Sequence, residues 1–168
     1  MVRFIFAITL HVNLKQPQPM PNLNNIIVVD DDTDEHEFLS AVFSDVMPWL
    51  HYNFFSNGYN LIKALSAPAA QLPDAVFLDI NMPGISGFDC LAALRSLDRL
   101  STLPVIIYST SRDSYSIQTA YDLGATYYMP KPDTVSELKD ILLSLTNLPL
   151  NATVKTARDG FVITKPVK

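Results

Sequence analysis

Three short apolar runs in this chain each end in charge. Ile26-Ile27-Val28-Val29 leads into Asp30-Asp31, Ala75-Val76-Phe77-Leu78 into Asp79, and the stretch from Ala125 to Met129 is followed by Lys131. Uninterrupted runs of this length suit strands buried on both faces, which belong to parallel sheets covered by helices. The intervals between the runs carry helical patterns. Residues 33–46 place Phe38, Leu39, Val42 and Phe43 at helical spacing, with Asp34, Glu35 and Glu37 near the positive end of the helix dipole. Residues 58–65, 88–97, 114–123 and 135–145 read as four further helices, and residues 51–55 and 105–108 as the remaining strands. Asp32 with Thr33, and Asp133 or Thr134, stand where N-caps are expected, and Gly124 where a left-handed helix end is expected. Five strands alternating with five helices predict an α/β fold, a doubly wound five-stranded parallel sheet flanked by five helices.

In such a sheet the carboxyl ends of the strands share one edge, and ligands bind in the crevice beyond it. Asp30, Asp31, Asp79 and Lys131 are thereby expected to meet. Three carboxylates and one ammonium suit a small divalent cation and a phosphoryl group, since the like charges would otherwise repel one another. Asp79 is the candidate nucleophile, because a carboxylate can accept a phosphoryl group to give an acyl phosphate. Mg2+ fits the donor set: it binds through one or two carboxylates, keeps waters and accepts phosphate oxygens. The plainer readings are a solvated capping turn for Asp30-Asp31-Asp32 and a surface lysine for Lys131. Two acids directly after a buried strand weigh against the first.

The ordered set of motifs resembles the receiver domain of two-component response regulators. It comprises Val29-Asp30-Asp31-Asp32, Leu78-Asp79-Ile80-Asn81-Met82-Pro83-Gly84 with Gly87, and Ile106-Ile107-Tyr108-Ser109-Thr110. Leu123-Gly124-Ala125, Tyr128 and Lys131-Pro132 complete it. The resemblance covers residues 25–147 and implies the CheY-like, flavodoxin-like strand order 2-1-3-4-5. It implies that Asp79 is the phosphoacceptor. It also implies that Asp31 and Asp79 ligate Mg2+ directly, Asp30 largely through water, and Asn81 through its backbone carbonyl. Lys131 and Ser109 would contact the phosphoryl oxygens, and Tyr128 would turn inward when Ser109 moves. Asn81 and Ser111 would tune hydrolysis of the acyl phosphate; neither can act as a general base, so a long-lived phosphorylated state is expected. Thr110 departs from the small residue typical there, and Pro130 before Lys131 is unusual. The Lys131-Pro132 bond is one that often is cis in relatives.

The implied partners are a histidine kinase or histidine phosphotransfer protein. A downstream protein target would read the face of the fourth helix, fifth strand and fifth helix near Tyr115, Tyr121 and Tyr127, and a homodimer through that face is compatible. A net charge of −5 argues against direct nucleic-acid binding. The lone Cys90 excludes an intrachain disulfide and suits a cytoplasmic location; it reads as a small apolar core residue. His36 is expected to be exposed among acids. Residues 1–24 form an N-terminal extension, too short in its apolar part to span a bilayer, with translation expected to start at Met20. Residues 148–168 are expected to be a loose tail, with docking of the 161–164 stretch as the alternative, and carry no output domain.

Two rival classes remain. A haloacid-dehalogenase-type enzyme also uses an Asp nucleophile and Mg2+, but needs a second Asp two residues on, where this chain has Asn81. A phosphorylation-independent receiver-like binding module would normally have lost Asp31, Asp79 or Lys131, and all three are present. The chain is therefore read as a phosphoacceptor and not an enzyme.

Overall fold

The computed structural model of the chain describes residues 23–150 and 157–164. The extension ahead of Leu23, with the Met20 start, lies outside the described residues. The strands are β1 (Asn25–Val29), β2 (His51–Phe55), β3 (Ala75–Leu78), β4 (Val105–Ser109) and β5 (Tyr127–Pro130). Between and after them run α1 (Thr33–Val46), α2 (Gly58–Leu65), α3 (Gly87–Ser96), α4 (Ser114–Asp122) and α5 (Val135–Leu145). All pairings are parallel, in the order β2-β1-β3-β4-β5. The expected α/β fold and strand order are thus present.

Alternation along the buried strands feeds two cores. Ile26, Val28, Phe77, Ile106 and Tyr108 face α1 and α5, packing on Phe43, Leu138, Ile141 and Leu142. Ile27, Val29, Val76, Leu78 and Ile107 face the other side, against Leu61, Leu91 and Leu94 of α2 and α3. Burying both faces explains why the strands read as unbroken apolar runs.

The helix ends follow local chemistry. Asp32 caps α1 by accepting from the Asp34 N–H, and Thr134 caps α5 by accepting from the Glu137 N–H. Gly84 and Gly124 have φ of 83° and 85°, which a side chain would strain. Gly87 is required by closeness and not by a positive φ. A Cβ there would lie 2.1 Å from the Asp79 carbonyl oxygen, so α3 packs directly on the backbone of the β3 end. No cis peptide occurs among the described residues, so Lys131-Pro132 holds the trans form, the lower in energy for X–Pro by about 0.5–1 kcal/mol.

The C-terminal segment corrects the expectation of a loose tail. After a single 3-10 turn (Arg158–Gly160), Val162 bridges Tyr128 in parallel. The Tyr128 N–H donates to the Phe161 carbonyl at 2.9 Å, and the Ile163 N–H donates to the Tyr128 carbonyl at 2.8 Å. Phe161 enters the α3–α4 side core and Ile163 the α1–α5 side core. The physical reason is the free edge of β5: its backbone groups need partners, and a period-2 segment can cover both faces at once.

Candidate functional site

The loops after β1, β3, β4 and β5 bring the charged residues together at one edge of the sheet. Carboxylate oxygens of Asp30, Asp31 and Asp79 lie within 4.8 Å of one another. Asp31 is exposed, whereas Asp30 and Asp79 are only 2% and 8% exposed. Asp30 is held from two sides: its Oδ1 accepts the Asp32 N–H at 2.9 Å and its Oδ2 accepts from Lys131 Nζ at 2.7 Å. Asp79 Oδ1 is buried without a hydrogen-bond partner. A buried carboxylate oxygen left unpaired is costly unless a ligand satisfies it. Three oxygen donors of this kind fit a hard divalent cation, and Asp79 would be one of its ligands.

Lys131 pairs with Asp30 and stands near Glu35. Burial would lower its pKa, but the hydrogen bond and charge of Asp30, with Glu35 and Asp79 behind it, raise it overall, so the ammonium stays charged. Around it stand two residues that the motif reading overlooked. Glu35 Oε1 lies 3.9 Å from Lys131 Nζ and accepts the Tyr108 hydroxyl at 2.7 Å. The Tyr108 ring centroid lies 5.1 Å from the same ammonium. Burial first, then the Glu35 carboxylate, pushes the Tyr108 phenol upward and keeps it a donor. The available signal was position: Glu35 is an acid in the first turn of α1, directly after the end of β1.

On the other flank, Asn81 Nδ2 donates to Ser109 Oγ at 3.2 Å and to Ser111 Oγ at 3.3 Å. Ser109, Ser111 and Asn81 therefore share one small polar cluster beside Asp79. Tyr128 is fully buried, and its hydroxyl donates to the Ser111 carbonyl at 2.8 Å. Burial, with Asp113 and Asp79, pushes that phenol up to about 12. Tyr128 thus stands inward and is tied to the loop that follows Ser109.

Other expectations are revised. His36 is not exposed: its ring stacks on Phe54 at 4.4 Å, and its Nε2–H donates to the Asp30 carbonyl at 2.7 Å. The reason is that α1 returns it one turn later toward β2. Tyr127 is not on a surface face either. Strand alternation turns it away from Tyr128, beneath α5, where its hydroxyl donates to the Pro149 carbonyl at 3.3 Å. Tyr115 is 77% exposed, and the half-buried Tyr121 ring meets the buried Phe161 ring edge-on. Cys90 is buried beside Gly58, and burial pushes its thiol up to about 11, as befits an inert core residue.

Residues 26–143 match the family model described as the response regulator receiver domain. The chain belongs to that family. The receiver is 36% identical over 120 residues to the response regulator MprA of Mycobacterium avium (strain 104), a match covering 67% of this chain and 46% of the relative. The chain thus spans about half the length of the curated relatives it matches. Its fold superposes on the response regulator RPA3017 of R. palustris with a TM-score of 0.69 at 25% identity, covering 80% of this chain and 99% of that one. Chemotaxis protein CheY4 of Vibrio cholerae gives a TM-score of 0.61 at 20% identity, covering 73% and 98%. Among the receiver's described residues no helix is long and apolar enough to cross a membrane.

Proposed function

We propose that this receiver accepts a phosphoryl group on Asp79 from a histidine kinase or a histidine phosphotransfer protein and passes the change to a protein partner. The observation that carries this is the buried, unpaired Asp79 Oδ1 beside Asp30 and Asp31. In the transfer, an Asp79 carboxylate oxygen forms a bond to phosphorus while the P–N bond of the donor phosphohistidine breaks, and the imidazole leaves with the electron pair. Asp30, Asp31 and Asp79, with the Asn81 backbone carbonyl, would hold Mg2+. The ion supplies neutralisation of the charge on the phosphoryl oxygens.

The residues of the chain do the rest. Lys131, held 2.7 Å from Asp30, is a charged donor that can exchange that carboxylate for a phosphoryl oxygen. Ser109 supplies a hydroxyl to another oxygen once released from Asn81. Movement of Ser109 reaches Tyr128 through the Ser111 carbonyl that the phenol holds. Asn81 and Ser111 offer no general base to water, so hydrolysis of the acyl phosphate is slow. The downstream partner reads the α4-β5-α5 face, whose exposed aromatic is Tyr115. A cytoplasmic location follows from these partners.

Phosphate incorporation from acetyl phosphate with Mg2+ tests the reading on a phosphate-affinity gel. A shifted, Mg2+-dependent band lost in Asp79→Asn supports it. No shift with either acetyl phosphate or a kinase donor overturns it.

A further inference from the structure

The C-terminal segment is not needed to complete the sheet or the acidic site, yet it is docked by both backbone and side chains. It grips one residue, Tyr128. The amide and the carbonyl of Tyr128 are each bonded to the segment, at 2.9 and 2.8 Å. On the helix side, the Phe161 ring is 5.0 Å from the Tyr121 ring of α4 and 6.5 Å from the Tyr128 ring. Phe161 is 2% exposed. The Arg158 guanidinium lies 5.3 Å from the Tyr121 ring centroid, closing the outer side. The space between α4 and β5 is therefore filled by Phe161. The Tyr128 ring is buried beside it, with its hydroxyl on the Ser111 carbonyl.

We propose that residues 157–164 are an intramolecular clamp on the β5 edge that binds when Tyr128 is turned inward, so that clamp docking and phosphorylation of Asp79 favour each other. This rests on the phosphoacceptor reading above. The coupling has a definite sign. A segment that fits one position of Tyr128 shifts the population toward that position. If phosphorylation draws Ser109 and Tyr128 inward, it must tighten the clamp by the same factor by which the clamp assists phosphorylation. With the clamp seated, the β5 edge is closed to strand addition by another protein. A target then reads the surface around it, from exposed Tyr115 on α4.

The test uses the full chain with Mg2+ and beryllofluoride as the phosphoryl stand-in, read by amide hydrogen exchange. Beryllofluoride is expected to slow exchange of the Tyr128 and Ile163 amides several-fold. Phe161→Ala, which empties the α4–β5 space, and Ile163→Pro, which removes the donor to Tyr128, are each expected to weaken beryllofluoride binding about fivefold, at the lower end of typical couplings. Phe161→Leu should restore most of the affinity. A tail that merely adds stability would lower the unfolding midpoint in these variants and leave beryllofluoride affinity unchanged. That result, or amide exchange that is unaltered or faster while the probe is bound, overturns the clamp and leaves the phosphoacceptor reading standing. Failure of the wild-type chain to bind beryllofluoride or take up phosphate removes both.

Discussion

Lys131 Nζ lies 2.7 Å from Oδ2 of Asp30, a residue 101 positions earlier and almost wholly buried. The ammonium is the counter-charge of the acidic cluster as well as a prospective phosphoryl contact. Removing one partner of a buried pair leaves the other uncompensated, which costs about 3–5 kcal/mol when both are fully buried. Lys131 retains some solvent access, so Lys131→Met is expected to cost about 2–3 kcal/mol in urea unfolding without divalent cation. Mg2+ should recover part of that loss by taking over the neutralisation. Asp79→Asn should act oppositely, raising cation-free stability by about 1 kcal/mol because it removes a buried unpaired charge. Equal midpoints for wild type and both variants would show that these charges do not interact.

The pH dependence at the alkaline end has a definite direction. The Lys131 pKa is raised above its ordinary 10.5, and the Tyr128 pKa from 10.0 to about 12. In both cases the folded state holds the proton more tightly than the unfolded chain. Their contribution is fully present below about pH 10 and is lost as pH rises through the folded-state values. Urea midpoints measured from pH 8 upward should begin to fall near pH 9, where the unfolded chain's Cys90 thiol titrates, and fall more steeply between pH 10 and about 12. Tyr128→Phe should fall less over that window. A fall in the wild type that Tyr128→Phe reproduces in full would refute the assignment to Tyr128.

Gly87 is set by closeness and not by backbone hand. A methyl group there meets the Asp79 carbonyl oxygen at 2.1 Å and the Ile80 Cα at 2.7 Å, both backbone. Gly87→Ala must push α3 off the end of β3, and overpacking of this kind costs about 1–3 kcal/mol. Because the displaced backbone carries the nucleophile, the rate of phosphate incorporation from acetyl phosphate should fall more than tenfold, as geometric misplacement in a site does. A folded variant with an unchanged rate would count against the contact.

The Asn81 amide donates to both Ser109 and Ser111. None of the three offers a base that could activate water beside Asp79. The phosphorylated wild type is therefore expected to survive for minutes or longer once the donor is removed, followed by loss of the shifted gel band. A lifetime of seconds would show that another group promotes hydrolysis, and Glu35, 3.9 Å from Lys131 Nζ, is then the candidate to substitute.

The acidic site was legible in the sequence because its residues close buried strands. Burial on both faces makes β1 and β3 continuous apolar runs, and parallel topology brings Asp30, Asp31, Asp79 and Lys131 to the same edge without further information. The helix caps Asp32 and Thr134 and the left-handed Gly124 were legible as local chemistry. What the motifs did not contain was lateral: Glu35 and Tyr108 around Lys131, His36 on the Asp30 carbonyl, and Tyr127 turned under α5. These depend on which way each helix rotates against the sheet.

The C-terminal segment shows the same division most plainly. Phe161, Val162 and Ile163 form a short β-prone stretch that could equally be solvated, since three residues cannot repay the entropy of ordering by themselves. The free edge of β5 and the aromatic groove beneath Tyr121 decide the matter, by offering two backbone hydrogen bonds and a buried ring site. Local sequence determined the strands, their order of appearance and the charges at their ends, because buried strands and caps are written within a few neighbouring residues. Tertiary structure alone decided what grips Tyr128 and Lys131, because those partners lie up to about a hundred residues away and meet only when the sheet has formed.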